Sequence, residues 1–135
     1  AYLCALSRRL EGVRICCGDW TRVLGPSPTE KLGVTGIFLD PPYGVADRDT
    51  CYGADDSLTV AGDVLAWCRA NGANPMLRIA LCGYAGEHDE LVSQGWDVRA
   101  WKAAGGYGSQ AADGNDNGAR ERIWFSPGCL QVGLF

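Results

Sequence analysis

The chain has 135 residues, a formal net charge of −4, 47% hydrophobic residues and 21% charged residues, which is typical of one globular domain and excludes a disordered or fibrous chain. The longest apolar runs are only a few residues and the N-terminus lacks the layout of a signal peptide, so no membrane span is predicted and a cytoplasmic location is expected. A nucleic-acid-binding surface on this acidic chain would have to be a local cluster of basic side chains, for which the candidates are Arg8, Arg9, Arg14, Arg99, Lys102, Arg120 and Arg122.

The first segment is predicted to form an amphipathic helix from Tyr2 to Glu11. Its apolar residues recur at three- and four-residue steps, and its two arginines lie off that stripe. Gly12 is predicted to end the helix in a left-handed conformation. A short strand is expected at Val13–Cys17, followed by a turn at Gly18–Trp20 and one helical turn at Thr21–Leu24.

The central feature of the chain is an apolar run that ends in an acid, two prolines and an aromatic ring. Ile37–Leu39 is too short for a helix and has the composition of a buried parallel strand. Pro41 and Pro42 end that strand, because proline cannot donate to a strand ladder and restricts the residue before it to extended geometry. Asp40 and Tyr43 are therefore predicted to lie at the carboxyl end of a strand, where open α/β sheets bind their ligands.

The segment after this strand, Gly44–Ser57, is rich in glycine and aspartate and is predicted to be a loop beside the acid. A helix is predicted to begin with Thr59 as its cap, and Met76–Cys82 alternates as a strand. The acidic stretch Gly86–Glu90 is typical of the first turn of another helix. This position predicts that His88, the single histidine, lies on a helix surface and is not a general base.

The last third of the chain is predicted to be a hairpin. Strands are expected at Asp97–Lys102 and Arg120–Ser126, joined by a glycine- and asparagine-rich loop at Ala103–Ala119. Strands separated by helices indicate a mostly parallel sheet with helices packed against it, and the hairpin adds an antiparallel edge. The predicted fold class is therefore α/β.

The chain contains seven cysteines, an odd number, without any C-x-x-C spacing. Several of them lie inside apolar runs, where a free thiol behaves as a small hydrophobic side chain. These spacings indicate reduced core thiols, with neither a disulfide framework nor a metal site.

The residues at the end of the central strand have the chemistry needed to activate a weakly nucleophilic amine. The lone pair of an exocyclic amino group on a nucleobase is delocalised into the ring. If the Asp40 carboxylate and the Pro41 carbonyl each accept one N–H, a tetrahedral nitrogen is favoured, whose lone pair can attack an electrophilic methyl group. Tyr43 can stack on the same base.

The sequence Asp-Pro-Pro-Tyr at residues 40–43 resembles the signature of the S-adenosylmethionine-dependent amino-methyltransferases of DNA. The chain looks closest to the small adenine-N6 methylases of bacteria and their phages. In that family an acidic turn contacts the adenine amino group of the cofactor, and Gly-Asp-Trp at residues 18–20 matches it. A family strand that ends near Gly-Tyr matches residues 80–84, and the family's last hairpin is similar to residues 120–127. These matches span nearly the whole chain in the family's order.

The resemblance implies a Rossmann-like methyltransferase sheet and a defined reaction. A methyl group would pass from S-adenosylmethionine to the N6 amino group of adenine in DNA, with the target base flipped out of the helix. The site residues that it implies are Asp40, Pro41, Pro42 and Tyr43 for catalysis, Asp19, Trp20 and Asp40 for the cofactor, and Tyr43, Arg120 and Arg122 for the substrate.

The chain departs from the family pattern in its cofactor motifs and in its strand count. The Phe-x-Gly-x-Gly loop, which wraps the methionine part of the cofactor, and the acid that holds the ribose are missing, and the glycine cluster at residues 105–108 lies in the hairpin. The family's first two strands, which lie between those predicted at 13–17 and 37–40 in the sheet, are also missing. Residues 1–135 are therefore expected to be a single methyltransferase-like domain that forms a reduced sheet, is the C-terminal part of a larger catalytic fold, or is completed by a partner chain.

Three alternatives stay open. The acceptor can be cytosine N4 or an RNA adenine, because Asp-Pro-Pro-Tyr orients an amino group without specifying the ring. The chain can be a non-catalytic cofactor- or DNA-binding remnant, which the missing glycine loop and the acidic balance favour. Asp-Pro-Pro-Tyr can also simply end a strand, since proline is common after strands.

Overall fold

A computed structural model of the chain describes residues 2–42, 54–101 and 117–129. The helices are α1 (Tyr2–Leu10), α2 (Ala54–Asn71) and α3 (Asn117–Arg120), and the strands are β1 (Thr35–Leu39), β2 (Leu77–Tyr84), β3 (Asp97–Ala100) and β4 (Glu121–Phe125). Short 3₁₀ helices lie at Trp20–Val23, Glu30–Leu32 and Asp89–Gln94.

The four strands form one open sheet in the order β1-β2-β4-β3. Strand β1 runs parallel to β2, and α2 lies between them in the chain, because a parallel pair needs a crossover connection. Strand β4 runs antiparallel to both β2 and β3. The predicted α/β class and its closing antiparallel hairpin are confirmed. A mostly parallel sheet was predicted, and in the described sheet one strand pair of three, β1–β2, is parallel.

One face of β2 forms the centre of the core. Leu77, Ile79 and Leu81 alternate along this strand and are at most 1% exposed. Helix α2 adds Val64 and Cys68 to the same cluster, which also contains Ile37, Leu91, Trp96 and Trp124. Because alternate residues of a strand point to the same side of the sheet, the apolar pattern of β2 selects the buried face.

The opposite face of the sheet is more open. Phe38 of β1 is 66% exposed, and Trp101, which follows β3, is 55% exposed. The apolar side of helix α1 is not covered either, since none of the residues of this helix is buried. A large share of the apolar surface in the described part of the chain therefore faces outward.

Two predictions for the N-terminal segment are wrong. The segment Val13–Cys17 is not a strand, and each of its residues is exposed. Gly12 is not among the glycines with a positive φ, so helix α1 ends without a left-handed residue. A strand-like pattern forms a strand only where a neighbouring strand pairs with it, and within the described residues β1 forms the edge of the sheet on this side.

Two helix boundaries also differ from prediction. Helix α2 begins at Ala54, which lies before the predicted cap Thr59 and inside the predicted loop Gly44–Ser57. Residues 117–120 form α3, although 117–119 were expected in the hairpin loop. The rest of both predicted loops, residues 44–53 and 103–116, lies outside the described residues. Apolar periodicity marks only the part of a helix that packs on the core, so it does not locate a polar first turn.

The prediction for His88 is wrong in its placement. The segment after it, Asp89–Gln94, is a 3₁₀ helix, and His88 occupies the position just before this helix. Its side chain is only 2% exposed, and its ring lies edge-on to Trp124 with 5.0 Å between the ring centroids. The acidic first turn is correct, but its histidine belongs to the core and not to the surface.

The described cysteines are free thiols that differ in burial. Cys68 and Cys82 are buried, as predicted for core thiols, and Cys129 is partly buried, whereas Cys4, Cys16 and Cys17 are exposed, against that prediction. Burial raises the pKa of the Cys68 thiol to about 12. Within the described ranges, no cluster of histidine, cysteine and acidic side chains has the arrangement to hold a metal ion, and no helix there has the length and apolar character to cross a membrane.

Candidate functional site

The Asp-Pro-Pro sequence lies at the carboxyl end of β1, as predicted. Leu39, the last residue of β1, pairs with Leu81, so Asp40 leaves the sheet beside the end of β2. Asp40 is exposed, whereas Pro41 is buried. Tyr43, predicted to stack on the substrate base, lies outside the described residues. The strand end therefore carries an exposed carboxylate next to a buried proline.

An apolar cavity of about 380 Å³ lies on the α2 side of this strand end. Asp40 and Pro41 form one wall of this cavity, and Trp20 forms another. The remaining walls come from Val23, Leu24, Ile37, Phe38, Leu39, Pro42, Val60 and Val64. The structure thus brings together a residue predicted to hold the cofactor, Trp20, with the predicted catalytic acid, although 20 positions separate them in the chain.

Asp19 caps the 3₁₀ helix that carries Trp20. Its Oδ1 accepts a hydrogen bond from the backbone N–H of Thr21 at 2.9 Å and another from the Thr21 hydroxyl. The side-chain bond from Thr21, followed by the backbone bond, lowers the pKa of the Asp19 carboxyl. Asp19 lines a separate surface depression of about 630 Å³, which it shares with Trp20. It is therefore ionised and oriented beside Trp20, but it does not line the cavity at Asp40.

A second cavity of about 330 Å³ lies on the open face of the sheet at the same strand end. Asp40 lines this cavity too, together with Phe38, Cys82, Trp101, Glu121, Arg122 and Ile123. Burial, followed by the negative charges of Asp40 and Glu121, raises the pKa of the Cys82 thiol to about 11. The second cavity therefore has aromatic walls and two carboxylates that act on one buried thiol.

The two arginines predicted to bind substrate lie at this end of the sheet, but in different positions. Arg122 lines the second cavity, and its Nη1 donates hydrogen bonds to the carbonyl oxygens of Ala119 and Glu121. The guanidinium of Arg120 lies 4.6 Å from the centre of the Tyr84 ring, within the range of a cation–π contact. Arg120 lines neither of the cavities at Asp40.

Five of the seven residues that line the second cavity were not predicted as site residues, among them Phe38, Trp101 and Glu121. Alternation along β1 and β4 could have placed Phe38 and Glu121 on one face of the sheet. Their proximity depends on the strand order, in which β4 inserts between β2 and β3. Trp101 is placed by its backbone N–H, which donates to the carbonyl of Glu121 at 3.0 Å. The missing signal was therefore the pairing of strands that are distant in the chain.

His88 supports the end of β2 from the core side. A Cβ atom added to Gly83 would lie 2.8 Å from His88 Nε2 and 3.0 Å from Glu87 Oε2, so the ring fills the space that this glycine leaves. Neither ring nitrogen has a hydrogen-bond partner within the described part of the chain. Burial lowers the pKa of the His88 ring, although the carboxylates of Glu87 and Glu90 favour its charged form.

Acidification is expected to destabilise the protein through His88. Its folded pKa lies below the unfolded value of about 6.5, so below that pH the unfolded chain binds a proton that the folded chain does not, and the free energy of unfolding falls by up to about 1.4 kcal/mol per pH unit. Urea denaturation between pH 7.5 and 5.5 measures this slope. His88→Phe is the control, because it removes the only imidazole and should flatten the slope. Equal slopes in the two proteins would contradict this account.

Comparisons with protein-family models, with curated protein sequences and with solved structures return no match for this chain.

Proposed function

We propose that the chain is a domain of an S-adenosylmethionine-dependent amino-methyltransferase that acts on the N6 amino group of adenine in DNA. The observation that carries this proposal is the position of Asp40, which lies at the carboxyl end of β1 and lines both cavities there. A methyl transfer needs a donor and an acceptor that meet at one point. Two cavities that share one carboxylate are suited to that geometry.

The apolar cavity suits the adenine end of the cofactor. The Trp20 indole and the aliphatic walls offer stacking and burial for an adenine ring. The ionised Asp19 carboxylate lies in the neighbouring depression, which shares Trp20 with this cavity, and its Oδ2 is not used by Thr21. We propose that an adenine stacked on Trp20 directs its amino group to this carboxylate at the boundary of the two. When bound, S-adenosylmethionine would supply the electrophilic methyl group.

The second cavity suits the acceptor base. Phe38 and Trp101 provide apolar aromatic walls for a flat ring, and Arg120 and Arg122 lie on the same edge of the sheet, where phosphates of DNA could be held. A base must leave the duplex to reach such a cavity. Two neighbouring arginines also agree with the acidic net charge of the chain, for which only a local positive cluster and no broad positive surface is expected.

The chemical role of the strand end follows from its acceptors. The Asp40 carboxylate would accept one N–H of the target amine and the Pro41 carbonyl the other, which localises the lone pair on nitrogen. The buried ring of Pro41 holds that carbonyl in a defined direction. Tyr43 would stack on the base in this proposal.

The free edge of β1 supports the part of the proposal that concerns the complete sheet. In the described residues β1 pairs only with β2, and its Phe38 is largely exposed. Unpaired strand edges invite pairing with a further strand. We infer a Rossmann-like methyltransferase sheet in which a further segment, from the same polypeptide or a partner chain, pairs with this edge.

The proposal is tested by incubating the chain with duplex DNA and methyl-labelled S-adenosylmethionine. Formation of N6-methyladenine is the expected product, and mass analysis separates it from N4-methylcytosine; an RNA substrate tests the third acceptor. Calorimetric titration with S-adenosylmethionine tests cofactor binding independently. Cofactor binding without transfer to any substrate would favour the non-catalytic remnant, an alternative that the missing glycine loop supports. If the chain neither binds S-adenosylmethionine nor transfers its methyl group, the proposal is refuted for this chain.

A further inference from the structure

Glu121 is the second carboxylate of the cavity on the open face of the sheet. It is the first residue of β4 and pairs with Tyr84, while Cys82 pairs with Ile123. Alternation along the strand directs Glu121 and Ile123 to the same face. Asp40 follows Leu39, which pairs with Leu81, and therefore approaches Cys82 from the other neighbouring strand. The two acids thus flank one position of β2.

The chemistry around Glu121 leaves its carboxylate uncompensated. Arg122, which lines the same cavity, directs Nη1 to the backbone oxygens of Ala119 and Glu121, and no ion pair of the described residues involves Glu121 or Asp40. Both carboxylates line the cavity beside Cys82, so the potential inside it is negative, and burial followed by these two charges raises the pKa of the Cys82 thiol. A negative potential in a site with aromatic walls favours a ligand that gains positive charge.

Methyl transfer to an amine is a reaction of this kind. The amine nitrogen uses its lone pair to form a bond to the methyl carbon, while the bond from that carbon to the sulfonium sulfur breaks and its electron pair stays on sulfur. The nitrogen carries positive charge until one N–H proton passes to the Asp40 carboxylate and from there to solvent. We propose that Glu121 stabilises the positive charge on this nitrogen, as a second carboxylate of the amine-binding cavity. This inference rests on the proposed function.

The test is Glu121→Gln, which keeps the shape of the side chain and removes its charge. We expect kcat to fall about tenfold, less than for loss of a direct hydrogen-bonding group, because Glu121 acts across the cavity. The melting temperature and KM for S-adenosylmethionine should not change. Asp97→Asn is the matched control: it removes a carboxylate from β3 at the other end of the same sheet, where Asp97 pairs with Phe125, and kcat should stay the same.

A second measurement does not depend on turnover. Glu121→Gln should lower the pKa of the Cys82 thiol, so that its alkylation by iodoacetamide at pH 9, followed by peptide mass spectrometry, becomes about two- to threefold faster. An unchanged alkylation rate would overturn the inference. So would an unchanged kcat in Glu121→Gln when Asp40→Ala is inactive, and that result would leave the proposed function standing. Absence of transfer by the wild-type chain would refute both.

Discussion

Asp40→Ala is expected to lower the proposed methyl transfer by at least about a thousandfold, because in the proposal Asp40 is the acceptor that localises the lone pair of the target amine. The substitution should not unfold the protein. Asp40 is exposed, and the core lies on the side of Leu77, Ile79 and Leu81. Product formation from labelled S-adenosylmethionine measures the effect, and thermal denaturation confirms the fold.

Two further variants show which property of Asp40 matters. Asp40→Asn keeps an acceptor oxygen but loses the charge, so it should retain more activity than Asp40→Ala. Asp97→Ala, which removes a carboxylate at the other end of the same sheet, should leave turnover unchanged. Full activity in Asp40→Ala would remove this residue from the site, and equal loss in the alanine and asparagine variants would assign its contribution to charge alone.

Gly72→Ala is expected to lower the free energy of unfolding by about 1–3 kcal/mol, the range for overpacking a filled core. A Cβ atom at this position would lie 2.6 Å from Cζ2 and Nε1 of Trp96. The indole cannot move aside easily, because Trp96 is only 3% exposed and belongs to the central cluster. Gly72 has no positive φ, so the cost is steric and not a backbone effect.

Gly62→Ala is the matched control for this prediction. Gly62 lies inside α2 with no atom within 4 Å of its added Cβ, so alanine should stabilise the helix by about 0.5–1 kcal/mol. Gly72→Ala should lower the free energy of unfolding less in a Trp96→Phe background than in the wild-type protein, because the smaller ring makes room for the methyl group. Urea denaturation measures the wild-type protein and all four variants. An unaltered midpoint for Gly72→Ala would contradict the close packing of Gly72 on Trp96.

Strands with strong alternation were predictable from the sequence alone. The uninterrupted apolar run at Ile37–Leu39 and the alternation at Met76–Cys82 are both local strand patterns, and both become strands of the sheet. The prolines after Asp40 locate the end of β1 correctly, since they exclude further ladder hydrogen bonds. These features are local, which is why a single sequence reveals them.

Features that depend on a distant partner were not predictable. The segment Val13–Cys17 has a strand pattern but pairs with no strand in the described structure, and His88 has the sequence context of a helix surface but fills the space beside Gly83. In each case the outcome depends on what packs against the segment. Local pattern contains no information about that neighbour.

The candidate site also has one part that the local sequence determines and another that depends on distant partners. The sequence by itself determined that Asp40, Pro41 and Pro42 end a strand, because proline chemistry acts on adjacent residues. Only the tertiary structure decided that Trp20 meets Asp40 in one cavity and that Glu121 meets it in another. The physical reason is the strand order β1-β2-β4-β3, which brings the start of β4 to the ends of β1 and β2 and is set by packing between segments far apart in the chain.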